Sequence, residues 1–320
     1  MNKITKIVLN LAIFFVIIGF AWYITVSINK DHSQSFGIDQ RTTDSLSVHY
    51  KQIFSFKISE EIHRFDLCGN RLFISAGKQV YIFDTNGKQL ANFSVEQNVR
   101  DITVDNDEIY LLYPIRIAVY SMNGQFVRQW DACSELSDYC SFTISGDAIF
   151  VTDAQNKDIC KYTTDGNFVR FLKSPQGFII PNYSFDIDSW NDTIYCVNSG
   201  RHSIETYTPD GDFITAFGTA GSEAGCFSGC CNPVYISFTP CGKLITSEKG
   251  NLRVSCFERD GQFKGIWLNS NMLGGNKACQ VKAINDQLFV AMKNKIVIFQ
   301  RCTASTSTCS ACPASCPIKK

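Results

Sequence analysis

Cysteine is spent most densely at residues 225–233, Gly-Cys-Phe-Ser-Gly-Cys-Cys-Asn-Pro, where Cys226, Cys230 and Cys231 fall within six positions. Thiols at that density can close disulfides, ligate an iron–sulfur cluster or another metal, or stay free. A second concentration, Cys302, Cys309, Cys312 and Cys316, lies in the last twenty residues. Carboxylates offer a different chemistry. Asp105, Asp153, Asp186 and Asp188 could hold calcium for a hydrolase, but only His63 and His202 accompany them beyond His32 and His49, too few for a three-histidine zinc site. No Gly-x-Ser-x-Gly element or phosphate loop is present.

What must position these residues is a repeat. "LFISAGKQVYIFDTNG" (72–87) recurs as "IYLLYPIRIAVYSMNG" (109–124) and "IFVTDAQNKDICKYTTDG" (149–166). It returns as "IYCVNSGRHSIETYTPDG" (194–211), "LITSEKGNLRVSCFERDG" (244–261) and "LFVAMKNKIVIFQ" (288–300). Each copy is a strand, a small turn and a second strand ending on an aromatic; five then reach Asn-Gly or Asp-Gly, which favour tight turns. After those glycines another strand closes on Phe93, Trp130, Leu172, Phe217 or Trp267. A period of about 40 residues with four strands per unit predicts a β-propeller, here an all-β ring of six blades over residues 49–300. The sixth copy lacks its outer strand, and "YKQIFSFKI" (50–58) matches "GKQLANFSV" (87–95). The N-terminal strand is therefore expected to complete the last blade and close the ring.

The blade pattern resembles NHL-type and related six-bladed propellers. The stretch "GCFSGCCNPVYISFTPCGKLITSEKGNLRV" (225–254) also resembles a group of membrane-anchored bacterial NHL-like proteins whose genes lie near membrane iron–sulfur or flavin electron-transfer components. That resemblance implies a redox or electron-transfer assembly, with a membrane redox complex as partner. Some six-bladed propellers are instead metal-dependent hydrolases or lyases that work at the channel mouth, and this stands as the alternative. Within "SEKG" (247–250), Glu248 and Lys249 read as an exposed ion pair or solvated turn.

The predicted ring sorts the thiols. Cys133, Cys140, Cys226, Cys230, Cys231 and Cys279 fall on connections between blades, around one channel mouth. They suit either disulfides or thiolate ligation of an iron–sulfur cluster. Cys230 and Cys231 would strain a ring if bonded to each other, so their side chains are expected to diverge toward separate partners. Cys68 and Cys241 sit in turns on the opposite face, while Cys160, Cys196 and Cys256 read as inert strand thiols. In the tail (301–320), Cys309-x2-Cys312-x3-Cys316-Pro317 resembles the end of the bacterial ferredoxin run, with Thr306 where its first cysteine would stand and Cys302 further back. Local disulfides serve that segment equally well.

Residues 7–28, "IVLNLAIFFVIIGFAWYITVSI", are long and apolar enough to span a bilayer. Lys3 and Lys6 precede the run, so residues 1–28 read as a cytoplasmic stub and single transmembrane anchor, with a linker over 29–48 and the ring outside the membrane. Lysine plus arginine equals aspartate plus glutamate at 30 each, which argues against nucleic acid as a partner. The expected role is a membrane-tethered scaffold that binds a protein.

Overall fold

The computed structural model describes residues 16–19 and residues 50–302 apart from 276. The first strand, β1 (Tyr50–Lys57), stands apart from those that follow it. Blade 1 is β2 (Ile62–Cys68), β3 (Arg71–Ala76), β4 (Gln79–Asp84) and β5 (Gln89–Ser94). Blade 2 is β6 (Asp101–Asp105), β7 (Glu108–Tyr113), β8 (Arg116–Ser121) and β9 (Phe126–Asp131). Blade 3 is β10 (Tyr139–Ser145), β11 (Ala148–Asp153), β12 (Asp158–Thr163) and β13 (Phe168–Leu172). Blade 4 comprises β14 (Ile187–Trp190), β15 (Thr193–Asn198), β16 (Ser203–Tyr207) and β17 (Phe213–Phe217). Blade 5 comprises β18 (Tyr235–Phe238), β19 (Leu244–Glu248), β20 (Arg253–Phe257) and β21 (Phe263–Leu268). The last three strands, β22 (Val281–Ile284), β23 (Gln287–Met292) and β24 (Lys295–Arg301), form blade 6 together with β1. All six sheets are four-stranded, and the pairings are antiparallel throughout.

Burial follows position in the blade. The second strands are buried on both faces, as in β11, where every residue is buried, and they read as continuous apolar runs. The outer strands β5, β9 and β17 are exposed over most of their length. The apolar core is six separate layers, one between each pair of neighbouring blades; Ile109 and Leu111 of blade 2, for example, pack on Phe73 and Val80 of blade 1.

The repeated glycine has two jobs. Gly87, Gly124, Gly166, Gly211 and Gly261 all have positive φ, which the turn between third and outer strand requires. A Cβ on any of them would also fall within 3.0 Å of a side chain from the preceding blade's outer strand. Gly124 meets Phe93, Gly166 meets Trp130, Gly211 meets Leu172, and Gly261 meets Phe217. Gly87 meets Phe54 and Phe56 of β1, so the same contact crosses the closure of the ring. Blade 6 has no such glycine, and there Trp267 stacks against Tyr50 with ring centroids 5.6 Å apart.

The closing strand takes the register expected of it. Gln52 pairs with Phe299 and Phe56 with Ile296, as Gln89 pairs with Phe83 and Phe93 with Val80 in blade 1, with a bulge after the first pair in both. The amide of Ile58 adds a bond of 2.8 Å to the carbonyl of Asn294. The expected span over residues 7–28 lies outside the described residues except for 16–19, which are helical. Among the described residues no helix is long and apolar enough to cross a membrane. The linker 29–48 and the tail beyond Cys302 also lie outside them.

Deleting residues 49–58 strips the outer strand from blade 6 and leaves β24 as an open edge. The expected outcome is loss of the cooperative thermal transition, followed by circular dichroism. A soluble domain melting as the full chain does would overturn the closure.

Candidate functional sites: channel and cysteine loop

The first strand of every blade lines the central channel, and two cations there are enclosed by carboxylates. Arg64 Nη2 lies 3.1 Å from Asp186 Oδ1 and its Nε 3.9 Å from Asp101 Oδ1. Its guanidinium also stacks 4.5 Å from the Tyr235 ring centroid. Lys282 lies 3.5 Å from Asp66 and 3.8 Å from Asp188. Burial works against both cations, but the surrounding carboxylates, Asp186 foremost for Arg64 and Asp188 for Lys282, hold them above their ordinary values. Asp101 is pushed upward, chiefly by burial and further by Asp186, against the pull of Arg64.

The same side chains stitch the blades together. Asp66 accepts from the Val104 amide at 3.0 Å, Asp101 from Phe142 at 3.2 Å, and Asp186 from Ile236 at 2.8 Å. Gln280 accepts from the Phe65 amide at 2.8 Å, and Ser237 donates to the Val281 carbonyl at 2.7 Å. Thr152 donates to the Phe185 carbonyl at 2.6 Å, so every interface between neighbouring blades has a polar bridge. The aspartates read as calcium ligands are used otherwise. Asp186 and Asp188 face Arg64 and Lys282; Asp153 accepts from the amides of Asp138, Gln155 and Asn156; Asp105 accepts from Asn106 at 2.8 Å. His63 takes no part in the channel's ion pairs or hydrogen bonds among the described residues.

The loop carrying Cys226, Cys230 and Cys231 joins blades 4 and 5 and is built around a buried ion pair. Glu248 is 0% and Arg253 2% exposed, and Arg253 Nε and Nη2 reach the two carboxylate oxygens at 2.8 and 2.9 Å. This corrects the reading of Glu248 as an exposed turn residue. It ends β19 and pairs across the sheet with Arg253 at the start of β20, where the loop folds over both. Ser255 adds a bond of 3.1 Å and the Ser228 amide another; burial still lifts Glu248 above the usual carboxylate range. Arg253 also donates to the carbonyl of Cys226. Phe227 is fully buried and packs 5.7 Å from Phe257, pinning the middle of the loop.

Asn232 fixes its end. Its Oδ1 accepts from the Lys249 amide at 2.9 Å and its Nδ2 donates to the Lys249 carbonyl at 2.8 Å. Blade 4 contributes His202, whose Nε2 lies 2.6 Å from the Gly229 carbonyl. Cys230 and Cys231 do not diverge as expected: their sulfurs lie 3.2 Å apart. The thiol of Cys231 is inside the fold and within reach of the Lys249 side chain and of Asn182 Nδ2, at 3.8 Å, while Cys230 is exposed. Burial opposes the Cys231 thiolate, but Lys249, Cys230 and Asn182 outweigh it and hold Cys231 below the usual thiol range. Cys230 is pushed up, first by its hydrogen bond to Cys231.

The remaining thiols scatter. Cys133 lies 3.3 Å from Cys160 of β12, so a thiol read as inert has a sulfur partner. Burial foremost, then Cys133, pushes Cys160 well above the usual thiol range. Cys140 and Cys279 donate to the carbonyls of Asp138 and Lys277, and Cys226 lies 3.6 Å from Thr219 Oγ1. Cys196 and Cys256 are buried in strands, Cys68 and Cys302 are exposed, and Cys241 is disulfide-bonded. Cys309, Cys312 and Cys316 lie outside the described residues. Among the described residues no three histidine, cysteine, aspartate or glutamate side chains form a group that could hold a metal ion.

No family model and no curated protein matches the chain. Solved structures do. Virginiamycin B lyase from Staphylococcus aureus superposes with a TM-score of 0.58 at 14% identity over 79% of this chain and 99% of the lyase. A catalytically inactive histidine-to-alanine form of that lyase with quinupristin aligns equally well, with a TM-score of 0.58 at 14% identity over 79% and 99% of the two chains. The WD40 domain of Neurospora crassa Pan2 follows, with a TM-score of 0.55 at 7% identity over 80% and 96%. At these identities the likeness is one of fold.

Two outcomes are expected here. Glu248→Gln leaves Arg253 buried without a counter-charge and costs on the order of 3–5 kcal/mol, read as a lowered thermal midpoint. Mild oxidation joins Cys133 to Cys160, a bond that stabilises by about 3 kcal/mol and is mapped as a linked peptide. Unlinked Cys160 after complete oxidation would contradict the arrangement.

Proposed function

We propose that this protein is a membrane-tethered, extracytoplasmic propeller that binds a protein partner as a subunit of a redox assembly. The observation that carries the binding role is an apolar band on the rim. Directly after the glycine turns, Phe126 and Val127, Phe168 and Val169, and Phe213 and Ile214 are exposed on consecutive outer strands, with Leu90 and Ile53 continuing the series. The phenylalanines lean on their own blades: Phe126 on Tyr120, Phe168 on Tyr162 and Phe213 on Tyr207, at 5.7 to 5.9 Å. Val127, Val169 and Ile214 have no such cover at 46%, 47% and 50% exposure. Apolar groups repeated at the same position of adjacent outer strands offer a partner a row of anchors, which supports the binding role. The tether rests on the apolar run 7–28 and the lysines before it. The channel gives a hydrolase little to use, because its described carboxylates are engaged with Arg64, Lys282 and backbone amides.

Replacing Val127, Val169 and Ile214 together by lysine tests the band. Surface changes of this kind leave the thermal midpoint nearly unmoved. Chemical crosslinking in intact membranes is expected to lose a wild-type partner adduct by tenfold or more. An unchanged adduct would remove the band from the binding surface. Cation-dependent elimination or hydrolysis by the purified chain would instead favour the enzymatic alternative.

A further inference from the structure

We propose that Cys230 and Cys231 form a thiol–disulfide exchange site, with Cys230 the entry thiol and Cys231 the resolving one. The proposal deepens the redox part of the function proposed above and is independent of the apolar rim. It starts from placement. The two sulfurs are 3.2 Å apart, one exposed and one inside, on a loop held at several points along its length. Arg253 holds the Cys226 carbonyl, Phe227 is buried, His202 meets the Gly229 carbonyl, and Asn232 is clamped to both backbone groups of Lys249. That last clamp ties the loop to Lys249, the cation that reaches Cys231. Asn182, from the connection between blades 3 and 4, approaches the same sulfur.

The division of labour follows from exposure and charge. An incoming disulfide R–S–S–R′ can reach only Cys230. The Cys230 thiol passes its proton across the 3.2 Å contact to Cys231 and attacks as the thiolate, forming a Cys230–S–S–R mixed disulfide; the departing R′S⁻ takes that proton from Cys231 and leaves as R′SH. Cys231, whose thiolate form Lys249 and Asn182 favour, then attacks the Cys230 sulfur from 3.2 Å away. RS⁻ departs and the Cys230–Cys231 disulfide remains. Two electrons pass from the protein to the incoming disulfide, and the charge of the thiolate leaves with RS⁻. The product is strained, because adjacent Cα atoms are about 3.8 Å apart and disulfides usually span about 4.4 Å or more. A strained disulfide is a ready oxidant, so the pair returns its oxidation to the next dithiol instead of serving as a staple.

The test uses the full chain in detergent with oxidised glutathione as probe, acid quenching and peptide mass analysis. Wild type is expected to lose two hydrogens on the peptide bearing both cysteines, with little mixed disulfide accumulating, and to recover them in dithiothreitol. Cys231→Ser is expected to accumulate the glutathione adduct at Cys230, tenfold or more above wild type. Because Cys231 is buried, Cys230→Ser gives a second arm on an exposed site: Cys231 should then remain largely unmodified. Lys249→Met should lengthen the lifetime of the wild-type adduct and move the pH for half-maximal resolution upward, which loss of packing alone would not do. A stable glutathione adduct on Cys230 in wild type, or no reaction at either cysteine, overturns the proposal. Either result with partner crosslinking intact removes the exchange chemistry and leaves the binding role standing.

Discussion

Five of the six blade junctions are locked by a contact that only glycine permits. A bulky side chain from one outer strand lies where the Cβ of the next blade's turn residue would be, from Phe56 against Gly87 round to Phe217 against Gly261. The turn needs positive φ at that residue, and the neighbour needs the missing side chain. Hairpin geometry and ring geometry therefore impose the same residue. The spacing between blades, and with it the channel and every loop that crosses from blade to blade, follows from that contact.

Inside the ring the backbone repeats but the charges do not. Arg64 comes from blade 1 and Lys282 from blade 6, while their carboxylate partners come from blades 1, 2 and 4. Six nearly equivalent blades could pair in alternative registers, and buried ion pairs with one correct arrangement penalise the wrong ones. Glu248 and Arg253 act similarly at smaller scale, since only one course of the cysteine loop covers both. Buried charge here gives definition to parts that apolar packing alone would leave interchangeable.

The ring was legible because it is local: strand, turn and closing aromatic recur within one period, and β1 copies the pattern of β5. The site was not, because its parts arrive from different blades. Asn182, His202 and Lys249 converge on residues 229–231 from separate connections, and no spacing in the sequence joins them. Glu248 sits in a motif that looks like a solvated turn, and its burial depends on a loop whose path cannot be read from composition. Cys133 meets Cys160 because the connection entering blade 3 folds back over the third strand of that blade. Short-range chemistry predicted the frame, and long-range packing decided which thiols meet.

The last blade has a temporal side. A ribosome makes β1 before any other strand of the ring and β24, its partner, after all of them. At about 5–20 residues per second, β1 waits for on the order of 10–50 s with its pairing edge open. Ile53 and Phe54, still 51% and 42% exposed in the finished ring, are more exposed during that wait. Until β24 arrives, such an edge invites pairing with a second copy of the chain.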